Sequence, residues 1–480
     1  MKKVIASVLS VAMVAAVAAG CATQPTDAPV GTTSAGSEVE TSETAGETDA
    51  ETSADATVGE QTTIGSGPEV INLWTFTNEV VGMVNYYVDN INPDFGNKYT
   101  VKCTYINGAE NYQPAVDAAL VAGGDSAPDL YCAEADYILK YTQGDMSRFA
   151  ATYKSLGIDV DAKTAAAEIA PYTIDIGSRD GEVVALGYQA TGGAMIYRAS
   201  IAEEVFGSSD PAEIEKVVGA GTGNWDKFWE AAATLKDKGY AIVSSSGDMW
   251  NVCKNAGQPW VVDGKLTIDP AREAYLDIAK KVKDEDLSNE SPAWDTPWYN
   301  DMMGLGDRQV FCFFGPAWLI NYVMVRDGQK AEGEATFGDW RVCTPPVGFF
   351  WGGTWLMARE GTAHAEAVAE IIEWVTLDTS ETGLQYLWAN DLMGNGAKDT
   401  VASAVVMGKS DGSLAFCGGQ NIFPTFIAGN ANATGKGMTQ YDATINTYFT
   451  DAAGQYAEGN LDRDAAIETF KTNVADNLSF

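Results

Sequence analysis

The chain has 480 residues, too many for one ordinary core and enough for about two domains plus targeting or linker segments. Its 46% hydrophobic residues can build a folded body, whereas a formal net charge of −36 excludes the clustered Lys and Arg that grip a phosphate backbone or an anionic membrane surface. A lone histidine, His364, leaves a multi-histidine metal site or a Ser-His-Asp triad with nothing else to rest on.

The N-terminus reads as an address. Met1, Lys2 and Lys3 give a positive start, and Val4 to Ala19 is apolar but shorter than the roughly 20 residues that span a bilayer. It closes on Ala18-Ala19-Gly20-Cys21, which resembles a bacterial lipobox with Ala18 where Leu is usual. That resemblance implies a signal peptide over 1–20 and lipidation of Cys21; an ordinary secretory signal followed by a chance cysteine is the alternative. Residues 21–68 are Thr, Ser, Ala, Gly, Glu and Asp almost without large apolar side chains, and no Lys or Arg occurs between Lys3 and Lys98. Such a stretch buries too little surface to offset its ordering entropy, so a disordered acidic tether is expected.

The folded body opens with Val70 to Phe76, a β-branched and aromatic strand, then helical spacing from about Val80 to Asn90. A second strand covers Thr100 to Ile106, a helix Tyr112 to Ala122, and a third strand Asp129 to Ala133. This order predicts a parallel sheet with covering helices, whose ligands meet the loops beyond the strands' carboxyl ends. Those loops carry Asn78-Glu79, Asn107 to Glu110, and Glu134 to Tyr137, with no Gly-rich phosphate cradle. A turn at Asp180-Gly181-Glu182 leads to Val183 to Leu186, and Ala194 to Tyr197 is another strand. Asn224 caps a helix running to Lys238, and Pro270 starts another behind Asp269. Val310 to Gly315 and Trp340 to Cys343 read as strands, Ala365 to Leu377 as a helix, and the rest from about Lys398 as largely helical. Six cysteines follow Cys21 without metal-type spacing; Cys103 and Cys132 either pair or remain buried thiols.

Five segments carry a resemblance in their order and spacing. They are Leu73 to Phe76; Ala118 to Gly124 with Ala127 to Leu130; Asp180 to Leu186 with Ile196 to Arg198; Asn224 to Phe228; and Gly306 to Val310 closing on Gly315 to Trp318. From about Val70 onward the chain resembles the family 1 extracellular solute-binding proteins, the maltose-binding-protein-like carbohydrate receptors of ABC importers. The resemblance implies a two-lobed, hinged α/β fold of the periplasmic-binding-protein type (type II) with the ligand between lobes. One lobe would comprise 69–187 and 341–390, the other 188–340 and 391–480. It further implies a monomer that serves membrane permease subunits, needs no cofactor or metal, binds no nucleic acid and touches the membrane only through its lipid. The tether suits the outer face of a Gram-positive cell.

A pyranose needs a flat aromatic surface under its C–H face and fixed acceptors around its hydroxyl rim. Trp318, after Gly315-Pro316, stands where the resemblance places a sugar-facing aromatic, and Asp248 and Trp250 where it often offers an acid and an aromatic. In Phe349 to Trp355 the Gly352-Gly353 pair lets backbone approach a ligand beside Trp351. Strand alternation would send Trp351 and Trp355 to one face. Asn78, Glu79, Glu134, Asp136 and Gln189 are the candidate hydrogen-bonding groups, with Trp294 and Trp298 of a Pro-rich loop in reserve. Trp225, Trp229 and Trp374 fit packing faces, and Trp74 either role. Paired carboxylates beside aromatics also equip a glycoside hydrolase. An adhesive surface lipoprotein and a same-fold receptor for a cationic or neutral non-sugar solute are the other readings.

Overall fold

The computed structural model describes residues 59–255 and 257–480. The signal peptide, Cys21 and most of the expected tether lie outside the described residues. The tether's last part is ordered: Glu60–Gly65 forms a strand paired antiparallel with Tyr99–Tyr105. Its Thr-Thr-Ile run is β-prone, and Ile64 is buried against the core beneath.

Six strands make the first sheet, in the order Glu60–Gly65, Tyr99–Tyr105, Glu69–Thr75, Leu130–Glu134, Thr354–Ala358 and Ala185–Gly187. The three expected strands pair in parallel as their βαβ connections require. The first and the last two members run antiparallel, so the sheet is mixed. Between the parallel strands lie helices Asn78–Tyr86, extended by a π turn over Tyr87–Ile91, and Ala109–Ala122. The latter buries Tyr112, Val116 and Leu120, one residue per turn on a single face. Helix Ala365–Thr376 buries Val368, Ile371, Ile372 and Val375, at i, i+3, i+4 and i+7, and Trp374 joins the same core.

The second sheet has Ala194–Arg198 in the middle, flanked antiparallel by Cys312–Gly315 and Trp340–Cys343. It is buried on both faces. Ala194 and Ile196 belong to the core shared with the first sheet, while Met195 and Tyr197 belong to a separate core. That double burial explains why these strands read as continuous apolar runs. The second core is completed by helices Asp226–Asp237, Pro270–Asp284, Asp442–Ala457 and Arg463–Asn477. Asp269 accepts a hydrogen bond from the Ala271 N–H at 2.7 Å, capping the helix that Pro270 begins. Trp225 and Trp229 pack on this core, as their i, i+4 spacing suggested.

The fold is therefore α/β and two-lobed. Trp340–Cys343 pairs inside the second sheet, so a lobe boundary at 340/341 cuts a strand. The chain returns to the first sheet only between Cys343 and Thr354. The expected second-lobe segment 391–480 is also shared: Ser403 bridges to Ile169, and its hydroxyl donates to Ala167 O at 2.6 Å. Its contacts are tertiary, between segments far apart in sequence, which local periodicity does not report. Cys103, Cys132, Cys253, Cys312, Cys343 and Cys417 are buried free thiols. Among the described residues no helix is long and apolar enough to cross a membrane.

Candidate functional site

The parallel strands aim their carboxyl ends at the gap between the lobes. Leu130–Glu134 ends with Glu134 in register with Thr354, so the Gly352-Gly353 turn lies against the carboxylate. The Ala135 N–H donates to Gly353 O at 3.1 Å, and the Asp136 N–H donates to a Glu134 carboxylate oxygen at 2.7 Å. Gly352 has φ 74° and Gly353 φ 122°, a conformation that side chains oppose. A Cβ on Gly352 would stand 3.5 Å from both Glu134 Oε1 and Trp318 Nε1. The backbone, the acid and the indole thus converge on one point.

Three indoles meet there. Trp318 donates from Nε1 to Trp351 O at 3.1 Å, and the two ring centroids are 4.8 Å apart. Trp294 lies parallel to Trp318 and edge-on to Trp351, with its centroid 5.9 Å from the latter. All three are half-buried, whereas Trp298 beneath them is fully buried. Trp351 and Trp355 do not share a face. The glycine pair breaks the alternation, and Trp355 turns into the core with its N–H on Thr173 O at 3.0 Å.

The pocket beside Trp351 draws walls from both lobes: Asp136 from the first, Lys254, Asn255 and Asn446 from the second, with Thr434 on the shared C-terminal segment. The Lys254 ammonium sits 5.8 Å from the Trp351 ring centroid. Arg272 forms the floor, donating to Lys254 O, Gln258 O and Gly437 O at 2.8–3.1 Å while its guanidinium covers Trp260. Burial raises the Glu134 carboxyl well above the usual carboxylate range, the Asp136 charge adds to this, and Lys254 opposes it. Asp442 is pushed up to about 6 by burial, against the pull of Thr439 and Arg272. A neutral Glu134 carboxyl can donate a hydrogen bond, and Lys254 is a second donor. Asp136 supplies an acceptor; Asn446, whose Oδ1 accepts from Trp260 Nε1 at 2.8 Å, turns its amide NH2 to the pocket as a further donor, and Asn255 is held by its bonds to Phe350 N–H and Asn251 O.

The remaining sequence candidates fall in two groups. Glu79 accepts from the Tyr188 hydroxyl, and Gln189 donates to Asp399 at 2.6 Å; both lie toward the hinge, with Asn78 exposed at the start of its helix. Asp248 and Trp250 stand away from the indoles. Asp248 is buried and completes a capping box with Ser245, accepting from the Ser244 and Ser245 N–H groups and from Trp298 Nε1 at 3.0–3.2 Å. Trp250 packs on Tyr275 and Phe449 in the second core. Both therefore sit under the site as support: a helix start shared by an acid and an aromatic resembles a binding pair in sequence but faces inward here. His364 precedes helix Ala365–Thr376, half-buried, with its Nδ1 3.7 Å from Glu69. Lys254, Asn255, Thr434, Asn446 and Asp399 were missed. They sit in helices and irregular segments without any local motif, and only tertiary folding brings them to the gap.

Two α/β lobes enclosing a pocket of indoles, carboxyls and amides define a receptor for a small solute. The family of bacterial extracellular solute-binding proteins matches residues 87–396, and the chain belongs to it. The family is one of binding proteins rather than enzymes. Among solved structures, an extracellular solute-binding protein family 1 member is similar at TM-score 0.70, with 16% identity over 85% of this chain and 99% of that one. The sugar-binding protein MalE of Xanthomonas citri is similar at TM-score 0.64, with 15% identity over 85% and 96% of the two chains. The galacto-N-biose-/lacto-N-biose I-binding protein of Bifidobacterium longum gives TM-score 0.61, with 16% identity over 86% and 98%. At these identities the likeness is one of fold. No curated protein sequence matches the chain.

Proposed function

We propose that the protein is the extracellular receptor of an ABC importer and captures a sugar or oligosaccharide in the gap between its lobes. The observation that carries this reading is the indole group Trp294, Trp318 and Trp351 set against Gly352 and Glu134. Indoles cover the C–H face of a pyranose. Glu134, Asp136, Lys254, Asn255 and Asn446 address its hydroxyls. Asn78, Glu79 and Gln189 stand along the same gap toward the hinge, with Asp248 and Trp250 supporting from below. Similar structures described as a MalE sugar-binding protein and as complexes with lacto-N-biose or β-1,6-galactobiose support a carbohydrate ligand.

Closure brings the two walls onto one ligand by hinge rotation, a population shift driven by contacts available only when shut. The lobes are 60–187 with most of 344–390, and 188–343 with the C-terminal helices. Cys21 carries the lipid after removal of 1–20, the acidic segment tethers a monomer to the outer face of a Gram-positive-type membrane, and permease subunits receive the closed form.

A thermal-shift screen of mono- and oligosaccharides tests this on a soluble form beginning at residue 59, which keeps the Glu60–Gly65 strand. A ligand at 100 times its dissociation constant should stabilise by about 2.7 kcal/mol. The result expected is a shift with at least one saccharide, abolished by Trp351→Ala. Shifts only with cationic solutes such as polyamines would replace the sugar reading with a non-sugar one.

A further inference from the structure

A second polar cluster lies toward the hinge, beyond the indoles, and the capture of a sugar does not require its chemistry. Asp399 is fully buried. It accepts from Gln189 Nε2 at 2.6 Å, from the Thr400 N–H at 2.7 Å and from Asn321 Nδ2 at 3.3 Å. Asn321 also donates to Lys398 O at 3.0 Å. These contacts join different bodies. Asn321 follows the second-sheet strand Cys312–Gly315, one helical turn after Trp318. Asp399 sits on a segment tied to the first lobe, since the Ala170 N–H donates to Ala402 O at 3.0 Å and the Ser403 hydroxyl to Ala167 O at 2.6 Å. Gln189 lies where the chain passes between the sheets.

The charge balance of this cluster is unusual. Glu79, hydrogen-bonded by Tyr188, is the second carboxyl in it, and its charge acts on Asp399. The charges of Asp399, Glu79 and Asp391 all act on the buried Tyr322 beside it. The nearest cation in sequence, Lys398, turns its ammonium to Asp411 at 2.9 Å. No salt bridge reaches Asp399 or Glu79 among the described residues. The buried Tyr322 hydroxyl and Trp388 indole N–H complete no hydrogen bond of good geometry. Two carboxyls enclosed together without a cation cannot both stay ionised at low cost.

We propose that Asp399, clasped by Gln189 and Asn321, is a proton-operated latch between the lobes, closing with uptake of a proton from solvent and opening as the proton leaves. The proposal rests on the hinged, closing receptor described above. Burial first, and the Glu79 charge after it, push the Asp399 carboxyl up to about 7, against the donors Thr400 and Gln189; burial raises Glu79 as well. Opening the gap would hydrate both groups and return them toward the ordinary carboxylate range. By linkage the shut state then binds more protons, so acid favours it. Because Trp318 and Asn321 share one turn, an indole that shifts onto a ligand also moves the latch donor.

Small-angle scattering and an interlobe spin-label distance, recorded without ligand between about pH 5.5 and pH 8.5, test the latch. The compact form should give way to the extended one as pH rises toward about 7 and level off above it. Asp399→Asn and Glu79→Gln remove the titrating groups and should flatten the profile. Asn321→Ala keeps both acids, weakens the clasp, and should shift the midpoint to lower pH. A wild-type profile flat with pH, or unchanged in Asp399→Asn and Asn321→Ala, overturns the latch. The same measurement at fixed pH, with a saccharide taken from the thermal-shift screen, separates the two ideas. Compaction by ligand but not by acid removes the latch alone; compaction by neither removes the hinged reading too.

Discussion

Trp294 and Trp318 lie nearly parallel, with 10° between ring planes and 6.2 Å between centroids, and Trp294 holds that position from a left-handed backbone at φ 74°. For a bulky residue such a backbone is an outlier and costs about 1–2 kcal/mol. Packing alone seldom sustains that cost in a loop, so the strain points to a surface held for a ligand.

Trp294→Gly should separate the two roles. Glycine relieves the strained backbone while removing the indole, so the unfolding free energy should change by no more than about 1 kcal/mol. Saccharide affinity should fall about tenfold, equivalent to about 1.4 kcal/mol. Urea unfolding and isothermal calorimetry report the two quantities. Unchanged affinity with a large loss of stability would make Trp294 a packing residue.

Gly352→Ala probes the point where backbone, acid and indole converge. Its φ of 74° costs an alanine about 1 kcal/mol, and the new methyl would stand in contact with Glu134 and Trp318, filling the approach to the ligand. Affinity should fall by tenfold or more, with a stability loss near the backbone cost. A loss of stability alone would show that no ligand comes close to this glycine.

Asp248 should behave as a structural acid. Asp248→Ala strands the Ser244 and Ser245 N–H groups and Trp298 Nε1, which should lower stability by about 2–3 kcal/mol with saccharide affinity kept. Burial raises its pKa from 3.8 to about 7. The stability this shift contributes is complete below pH 3.8 and is lost as pH rises through about 7. Asp248→Asn should therefore show a shallower decline in stability over that window, measured by urea unfolding in a pH series. A decline as steep as in the wild type would assign the titration to another group.

The strands were legible where burial on two faces leaves a continuous apolar run, as in Ala194–Arg198, or where βαβ spacing is regular, as from Val70 to Ala133. The helix start at Asp269 was legible because capping is local chemistry; the next one upstream lies a residue later than expected, with Trp225 at the cap position and Asn224 accepting only from the Asp226 N–H. Trp318 and Trp351 stand out in the sequence because glycine and proline mark irregular backbone beside them. Lys254, Asn446 and Asp399 left no such mark. Asn446 lies inside helix Asp442–Ala457 and meets the gap only because that helix packs on Pro270–Asp284. Asp248 differs for the converse reason: the resemblance places an acid and an aromatic there, while local capping chemistry turns the carboxylate inward onto the Ser244 and Ser245 N–H groups.

The first strand gives the remaining prediction. Composition places residues 21–68 in a tether, yet Glu60–Gly65 pairs with Thr100 to Tyr105 of the neighbouring strand and buries Ile64. Behind it, the Ser66 and Gly67 N–H groups donate to Gly96 O at 2.8 and 3.1 Å, anchoring the turn into the next strand. A protein beginning at residue 69 would lose the Ile64 burial, worth about 1.5–3 kcal/mol. It would also expose the N–H and C=O groups of Tyr99–Tyr105 as an open sheet edge, a template for association. Compared with a protein beginning at residue 59, it should unfold at lower urea and scatter more light at equal concentration. Its saccharide affinity should stay unchanged, because this edge lies at the far side of the sheet from Leu130–Glu134 and Thr354–Ala358. Equal urea midpoints for the two forms would return Glu60–Gly65 to the tether.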